Sequence, residues 1–340
     1  QRQMCIRDRK ELGIFPDPTS IPNFATDLPP AGGIGDPVIV MTTVSVSEPS
    51  LFDQQPAIDQ DGTLTFLTAA DQNGSAEIVV RLTETGVANP KQSAPQTFTI
   101  TLDAVNDAPN LDVPAIYDTI EDAGVVVVTD FATDLLPGPI TATDELDQIV
   151  TVTTAAVDPS LFIVQPTIDN DGDLTFQTTT DFNSSMDEVL VTVFAEDDGP
   201  SDAPNVNRTE TKTFTINVAP INDPPSFSLT QSVVVVSEDQ EELDGTERTE
   251  IPGFAVDLAP GPPTATDEVD QTLSFSLFTN APELFEEQPT IDADGNLSFK
   301  TAKDKAGSAI VEAQLIDSGL GTPPPNDNTS TTSTFTITIT

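Results

Sequence analysis

Four landmarks recur three times in the same order along this 340-residue chain, which limits it to a row of similar units. Phe24-Ala25-Thr26-Asp27-Leu28 returns as Phe131-Ala132-Thr133-Asp134-Leu135 and as Phe254-Ala255-Val256-Asp257-Leu258. Leu51-Phe52 followed by Gln55-Pro56 matches Leu161-Phe162 with Gln165-Pro166, and Leu284-Phe285 with Gln288-Pro289. Ile58 to Phe66 matches Ile168 to Phe176 and Ile291 to Phe299. Each unit closes on a Thr-Phe-Thr-Ile strand, at Thr97 to Ile100, Thr213 to Ile216 and Thr334 to Ile337.

The spacing selects the architecture. Phe24 to Phe131 is 107 residues and Phe131 to Phe254 is 123. Solenoid coils repeat every ~20–45 residues, whereas an immunoglobulin-like sandwich takes ~100. The strand pattern agrees, because Phe214, Ile216 and Val218 alternate with Thr213, Thr215 and Asn217. Asp61-Gly62, Asp171-Gly172 and Asp294-Gly295 stand where a hairpin turn is wanted. The four-valine runs Val125 to Val128 and Val233 to Val236 read as core strands. With no Trp and one Tyr, the core must come from Val, Ile, Leu and Phe, and Phe66, Phe176 and Phe299 are its matched aromatics. The expected fold class is all-β: three tandem immunoglobulin- or cadherin-like Greek-key β-sandwiches in an extended array.

The expected boundaries are 10–109, 110–226 and 227–340, the first unit truncated at its start and the last at its end. Residues 1–9 are expected to lie outside the fold. Gln1-Arg2-Gln3-Met4-Cys5-Ile6-Arg7-Asp8 reads as a translated transposon mosaic-end sequencing adapter. On that reading the native start, with any signal peptide, is missing, and Cys5, the single cysteine, is not native. Between units stand Val105-Asn106-Asp107-Ala108-Pro109 and Ile221-Asn222-Asp223-Pro224-Pro225. Proline fixes φ and holds its predecessor extended, so these hinges are expected to be stiff.

Charge restricts the partners. Twelve basic residues face 56 acidic ones, a formal net charge of -44, and no Lys or Arg occurs from Gln92 to Asn207. Such a surface repels phosphate backbones and anionic headgroups, which argues against nucleic-acid binding, and it attracts cations. No apolar run approaches the ~20 residues of a membrane span.

The chain resembles the cadherin-like and tandem bacterial immunoglobulin-like repeats of giant bacterial surface and secreted proteins. The residues that carry the likeness include Val193-Phe194-Ala195-Glu196-Asp197-Asp198-Gly199, with softer versions at Ala313 to Gly319 and Val80 to Gly86. The Asn-Asp-x-Pro hinges belong to it as well, as do Glu121-Asp122 and Glu238-Asp239 near the unit starts. The resemblance implies calcium bound between units by carboxylates from both sides. Carried over, it assigns Glu121, Asp122, Asn222, Asp223, Asp267, Asp270 and Asp317 to the second junction. It assigns Asn106, Asp107, Asp144, Asp147 and Asp197 to the first, with Asp103 as a further candidate. Glu238 and Asp239 hold the matching place in the third unit.

Electrostatics separates a real cluster from scattered acidity. Two unit charges 4 Å apart repel by ~1 kcal/mol in water and ~4 kcal/mol at an effective dielectric of 20. Four converging carboxylates make six pairs, costing roughly 6–24 kcal/mol without a cation. Eleven acids and no bases fall between Asp103 and Asp147, a density above the chain average. Oxygen-only ligands suit Ca²⁺, and the absence of His argues against zinc. The alternative is acidity spread over solvated faces. The Asp-x-Asp-Gly elements are not calcium loops of the EF-hand kind, since Ala70, Thr180 and Lys303 stand where the twelfth-position Glu is required.

No His-based relay is possible, and aromatic platforms for a sugar ring are missing. The reading is a non-catalytic structural or adhesive segment of an extracellular or cell-surface protein, with calcium at its junctions and an unknown surface or matrix partner. Two alternatives are a glycan- or protein-binding module and an accessory region of a secreted hydrolase.

Overall fold

The computed structural model describes residues 18–28, 38–185, 187–238 and 248–340, and the backbone of 3–7. It is all-β, and among the described residues the only helices are three-residue 3₁₀ turns at Pro49–Leu51, Pro159–Leu161 and Pro282–Leu284. Among the described residues no helix is long and apolar enough to cross a membrane.

Three hydrophobic cores form, each between a four-stranded and a three-stranded sheet. Around the second core one sheet runs Thr151–Ala156, Val189–Glu196, Lys212–Ala219, Ile116–Ile120, and the other Phe162–Ile168, Leu174–Thr178, Val126–Val128. The first core repeats this with Val38–Val46, Gly74–Thr85, Gln96–Asp103 and Gln3–Arg7 facing Phe52–Ile58, Leu64–Thr68 and Thr19–Ile21. The third repeats it with Ser274–Thr279, Gly307–Ile316, Ser333–Ile339 and Val233–Val236 facing Phe285–Ile291, Leu297–Thr301 and Thr249–Ile251. A further pair, Ser226–Leu229 with Ala255–Ala259, closes one edge of the third unit.

The period-two sequence pattern explains the burial. Phe214, Ile216 and Val218 point inward and are almost fully buried, while their threonine neighbours face out. Phe66, Phe176 and Phe299 are each 0% exposed. Each meets the Phe of its Leu-Phe landmark edge-to-face, with ring centroids 5.8, 6.3 and 5.8 Å apart. The valine runs are only half core. Val126 and Val128 pack inward and Val234 is buried, but Val125, Val127, Val233 and Val235 are exposed, because alternate residues of an outer strand must face water.

The Asp-Gly elements do join hairpin strands, through a five-residue loop rather than a two-residue turn. Ile58 pairs with Leu64 across it. Asp59 Oδ1 accepts from the N–H groups of Asp61 (3.0 Å) and Thr63 (2.8 Å), and Gly62 takes φ +80°. A Cβ on Gly62 would fall 2.1 Å from the Ala25 carbonyl oxygen, so this glycine ties the loop to the Phe-Ala landmark.

In each unit the first strand of the four-stranded sheet lies parallel to the last. Ile116 faces Thr215 and Val233 faces Thr336. Gln3–Arg7, expected outside the fold, takes the matching place, with Gln3 opposite Thr99.

Candidate metal centre at the two hinges

The hinges fold inward rather than bridging open water. Asn106 and Asn222 are 5% and 8% exposed, and each is held by the downstream unit. The Asn222 N–H donates to Asn326 Oδ1 (3.0 Å), and its Nδ2 donates to Asp317 Oδ1 (3.2 Å) and the Asp327 carbonyl (2.9 Å). At the first hinge Asn106 makes the same bonds to Asn205 (2.9 Å), Asp197 (3.0 Å) and Val206 (2.9 Å).

Next in each hinge comes an aspartate whose N–H is capped by a buried glutamate. Asp107 donates to Glu145 Oε1 at 2.6 Å, and Asp223 donates to Glu268 Oε1 at 2.7 Å. Both glutamates are 2% exposed. They sit in the near-identical loops Thr141 to Gln148 and Thr264 to Gln271, which differ only at Leu146 and Val269. The approach is close: a Cβ on Gly138 would fall 1.9 Å from Glu145 Oε2, and one on Gly261 1.8 Å from Glu268 Oε2. Glycine is required there so that each glutamate can reach the hinge. The loops end in Gln148 and Gln271, whose Nε2 groups donate to Asn106 and Asn222 Oδ1, both at 2.7 Å.

These bonds leave seven buried side-chain oxygens without a donor among the described residues. They are Glu145 Oε2, Gln148 Oε1 and Asp197 Oδ2 at the first hinge. At the second they are Asp223 Oδ2, Glu268 Oε2, Gln271 Oε1 and Asp317 Oδ2. A buried acceptor without a partner costs about 1–3 kcal/mol, and more when charged. None of the four described ion pairs reaches these carboxylates. Burial, reinforced by neighbouring aspartates, pushes Glu145 and Glu268 up to about 7. Burial, then Asp181, Asp122 and Asp267, pushes Asp223 up to about 6.

A second group forms on the upstream side of the second hinge. Asp122, Asp181 and Asp223 bring carboxylate oxygens within 4.8 Å of one another. Asp122 and Asp181 are both left-handed, at φ +56° and +54°, and Asp122 Oδ1 accepts from the Asp181 N–H at 3.1 Å. Glu121, 2% exposed, accepts from the Ile221 N–H and from Asn183 Nδ2 (3.1 Å). Burial raises the Glu121 and Asp122 carboxyls, and negative neighbours add to it. Thr264 Oγ1 donates across the joint to Asp181, as Thr141 Oγ1 donates to Asp71 at the first hinge. Asp71, Asp107 and Asp144 line a small cavity there.

The donor set fits a hard cation. Every orphaned atom at the two hinges is a carboxylate or amide oxygen, and Ca²⁺ takes 6–8 such ligands at ~2.3–2.6 Å. Oxygens on one ion then lie up to about 5 Å apart, a limit the Asp122, Asp181 and Asp223 group meets.

Of the residues named from sequence, Asn106, Asp107, Glu121, Asp122, Asp197, Asn222, Asp223 and Asp317 stand in these groups. Asp144 and Asp267 are exposed beside them, Asp267 adding its charge at Glu121, Asp223 and Glu268. Asp147 and Asp270 are exposed, and the loops bury Glu145 and Glu268 instead. Asp103 ends the strand Gln96–Asp103 opposite Arg7. Glu238 donates its N–H to the Thr340 carbonyl, as Glu121 does to Ala219. Asp239 lies outside the described residues. Sequence reasoning missed Glu145, Glu268, Gln148, Gln271, Asp71 and Asp181. The near-identity of Thr141 to Gln148 and Thr264 to Gln271 was the signal that could have found four of them.

Fold and hinges together define a row of all-β sandwich units with acidic, donor-poor joints. The chain is similar to several solved cadherin ectodomain fragments. Mouse cadherin-23 EC22-24 is 16% identical, with 99% of this chain and 95% of that chain covered and a TM-score of 0.42. Mouse protocadherin-24 EC1-3 is 15% identical, covering 89% and 90%, TM-score 0.41. Human CDH23 EC21-23 is 15% identical, covering 88% and 88%, TM-score 0.47. No family model and no curated protein matches the chain.

Proposed function

We propose that this chain is a non-catalytic structural or adhesive segment of an extracellular bacterial protein, stiffened by calcium at the joints of three sandwich units. The seven buried oxygens without donors carry the reading. A protein side chain with N–H groups would satisfy them, yet the sequence places carboxylates around them instead. At the second joint Asp122 and Asp181 from one side, and Asp223, Glu268, Gln271 and Asp317 from the other, would hold the metal. At the first, Asp71, Asp107, Glu145, Gln148 and Asp197 would do so. Bound calcium supplies positive charge that offsets the mutual repulsion of these groups. We place the unit boundaries at 10–109, 110–226 and 227–340, consistent with cores drawn from residues 21–102, 111–218 and 227–339.

The test is calcium titration of chelator-treated, desalted chain by calorimetry, with small-angle scattering before and after. The expected result is saturable uptake, a higher melting temperature and a more extended particle. No uptake and no thermal shift would sink the reading.

A further inference from the structure

One strand edge of the third unit is left unguarded. Ser274–Thr279 ends its four-stranded sheet and, among the described residues, pairs only with Gly307–Ile316, without a register shift. An exposed edge is a template for further pairing, which proteins usually blunt with charge, proline or a bulge. The neighbouring edge strand, Phe285–Ile291, has all three: Glu286 and Glu287, Pro289, and two breaks of register. Ser274–Thr279 has none. No charged residue stands between Asp270 and Glu283, in a chain where 20% of residues are charged. Phe278 faces outward from this strand and is 66% exposed.

The sister units latch this edge shut. Thr43 and Thr154 hold the position of Leu277, since the three residues pair with Val80, Val193 and Ala313 at matching places in the next strand. Each threonine hydroxyl donates to a proline carbonyl of the facing sheet, Pro56 at 2.9 Å and Pro166 at 2.5 Å. Leu277 has no hydroxyl to offer Pro289. A mainly apolar cavity of about 280 Å³ opens there instead, lined by Leu277, Phe278, Pro282, Pro289 and Val311 among others.

We propose that this edge pairs with the same edge of a second copy of the chain, antiparallel about a two-fold axis. The strand is itself what the edge lacks: an uncharged segment with Leu273, Phe275 and Leu277 on one face. With the axis at Leu277, the second copy's Leu277 lies opposite and faces the cavity, while Phe278 lies opposite Ser276. A two-fold contact needs one self-complementary patch, and this strand supplies both halves. Charge favours the same occupant. Two chains of net charge -44 can approach where neither carries charge, and salt screens the rest beyond about 8 Å. One short strand buries less than the ~800 Å² per partner of a stable interface. The dimer is therefore weak, with a Kd on the order of 10⁻⁴ M. The hinge carboxylates take no part, so the pairing does not depend on calcium.

The test is sedimentation velocity of the full chain from about 5 µM to about 500 µM, at about 0.15 M salt, in chelator and again in calcium. A monomer–dimer equilibrium is expected under both conditions. Phe278→Glu should weaken it at least about tenfold, and Leu277→Thr, which restores the latch of the sister units, should weaken it about tenfold. Ile163→Glu, at a 57% exposed position on the proline-bearing edge strand Phe162–Ile168, should leave it unchanged. A monomer at every concentration overturns the proposal, as does a dimer that neither edge substitution weakens. So does equal loss with Ile163→Glu, since the contact would then be general apolar association.

Discussion

The N–H of Asp223 donates to one oxygen of Glu268 at 2.7 Å, and the other oxygen of that buried carboxylate receives nothing among the described residues. One side chain therefore fixes the hinge backbone and at the same time presents an unmet negative charge. Asp107 and Glu145 repeat the relationship at the first hinge.

Glu268→Gln should separate the two roles. The glutamine carbonyl can still cap the Asp223 N–H, while the charge is gone. Calcium affinity at the second joint is expected to fall at least about tenfold, since ligand charge sets affinity at such sites. The chelated protein should melt higher than the parent, because an unpaired buried anion has been removed. Calorimetry of parent and variant, with and without calcium, checks both.

Acidification should stabilise the metal-free chain through these groups. Glu145 and Glu268 rise from 4.5 to about 7, so the folded state binds more protons than the unfolded state across that window. Stability then falls as pH rises from about 4.5 through 7. Other carboxylates act the opposite way; hydrogen bonds from Asn296 lower Asp292, for example. The quantity to measure is therefore the difference between parent and Glu145→Gln/Glu268→Gln, in chelator, at pH 5 and pH 8. The deficit of the parent should be larger at pH 8. Calcium binding near pH 6 should release protons.

Thr264→Val removes the hydroxyl that reaches Asp181 across the second joint. The individual folds should be untouched, since Thr264 is exposed in a loop. Scattering in chelator should show a wider spread of particle lengths, and calcium should narrow it again. An unchanged distribution would mean that the hydroxyl does not orient the joint.

Phe299→Ala empties the centre of the third core. A fully buried Phe replaced by Ala costs about 3–5 kcal/mol, a large part of one unit's stability. Calorimetry should show one unfolding transition moving down while the others stay in place. A uniform shift of the whole melt would instead mean that the three cores unfold together.

The repeat landmarks were legible because each is set by short-range rules. Alternation at Thr213 to Val218 follows the pleat, and the left-handed Gly62 follows loop geometry. The joints were half legible. Hinge residues Asn106 and Asp223 announce themselves by their motif, but Asp144 and Glu145 are adjacent acids and composition gives no ground for preferring either. Only the fold shows that the loop turns Glu145 inward beneath Gly138 while Asp144 faces water. Asp181 was hidden for a related reason: it comes 42 residues before Asp223 in sequence and meets it only when two units are in place.

The parallel pairing of first and last strands has a mechanical outcome. In the second unit, Ile116–Ile120 enters beside Lys212–Ala219, where the chain leaves, and five residue pairs join them. Tension applied along the array would drag these two neighbours past each other, so the whole ladder must yield at once instead of opening rung by rung. Such a geometry resists pulling far better than its modest thermodynamic stability would suggest, and it does so in every unit through which the load passes.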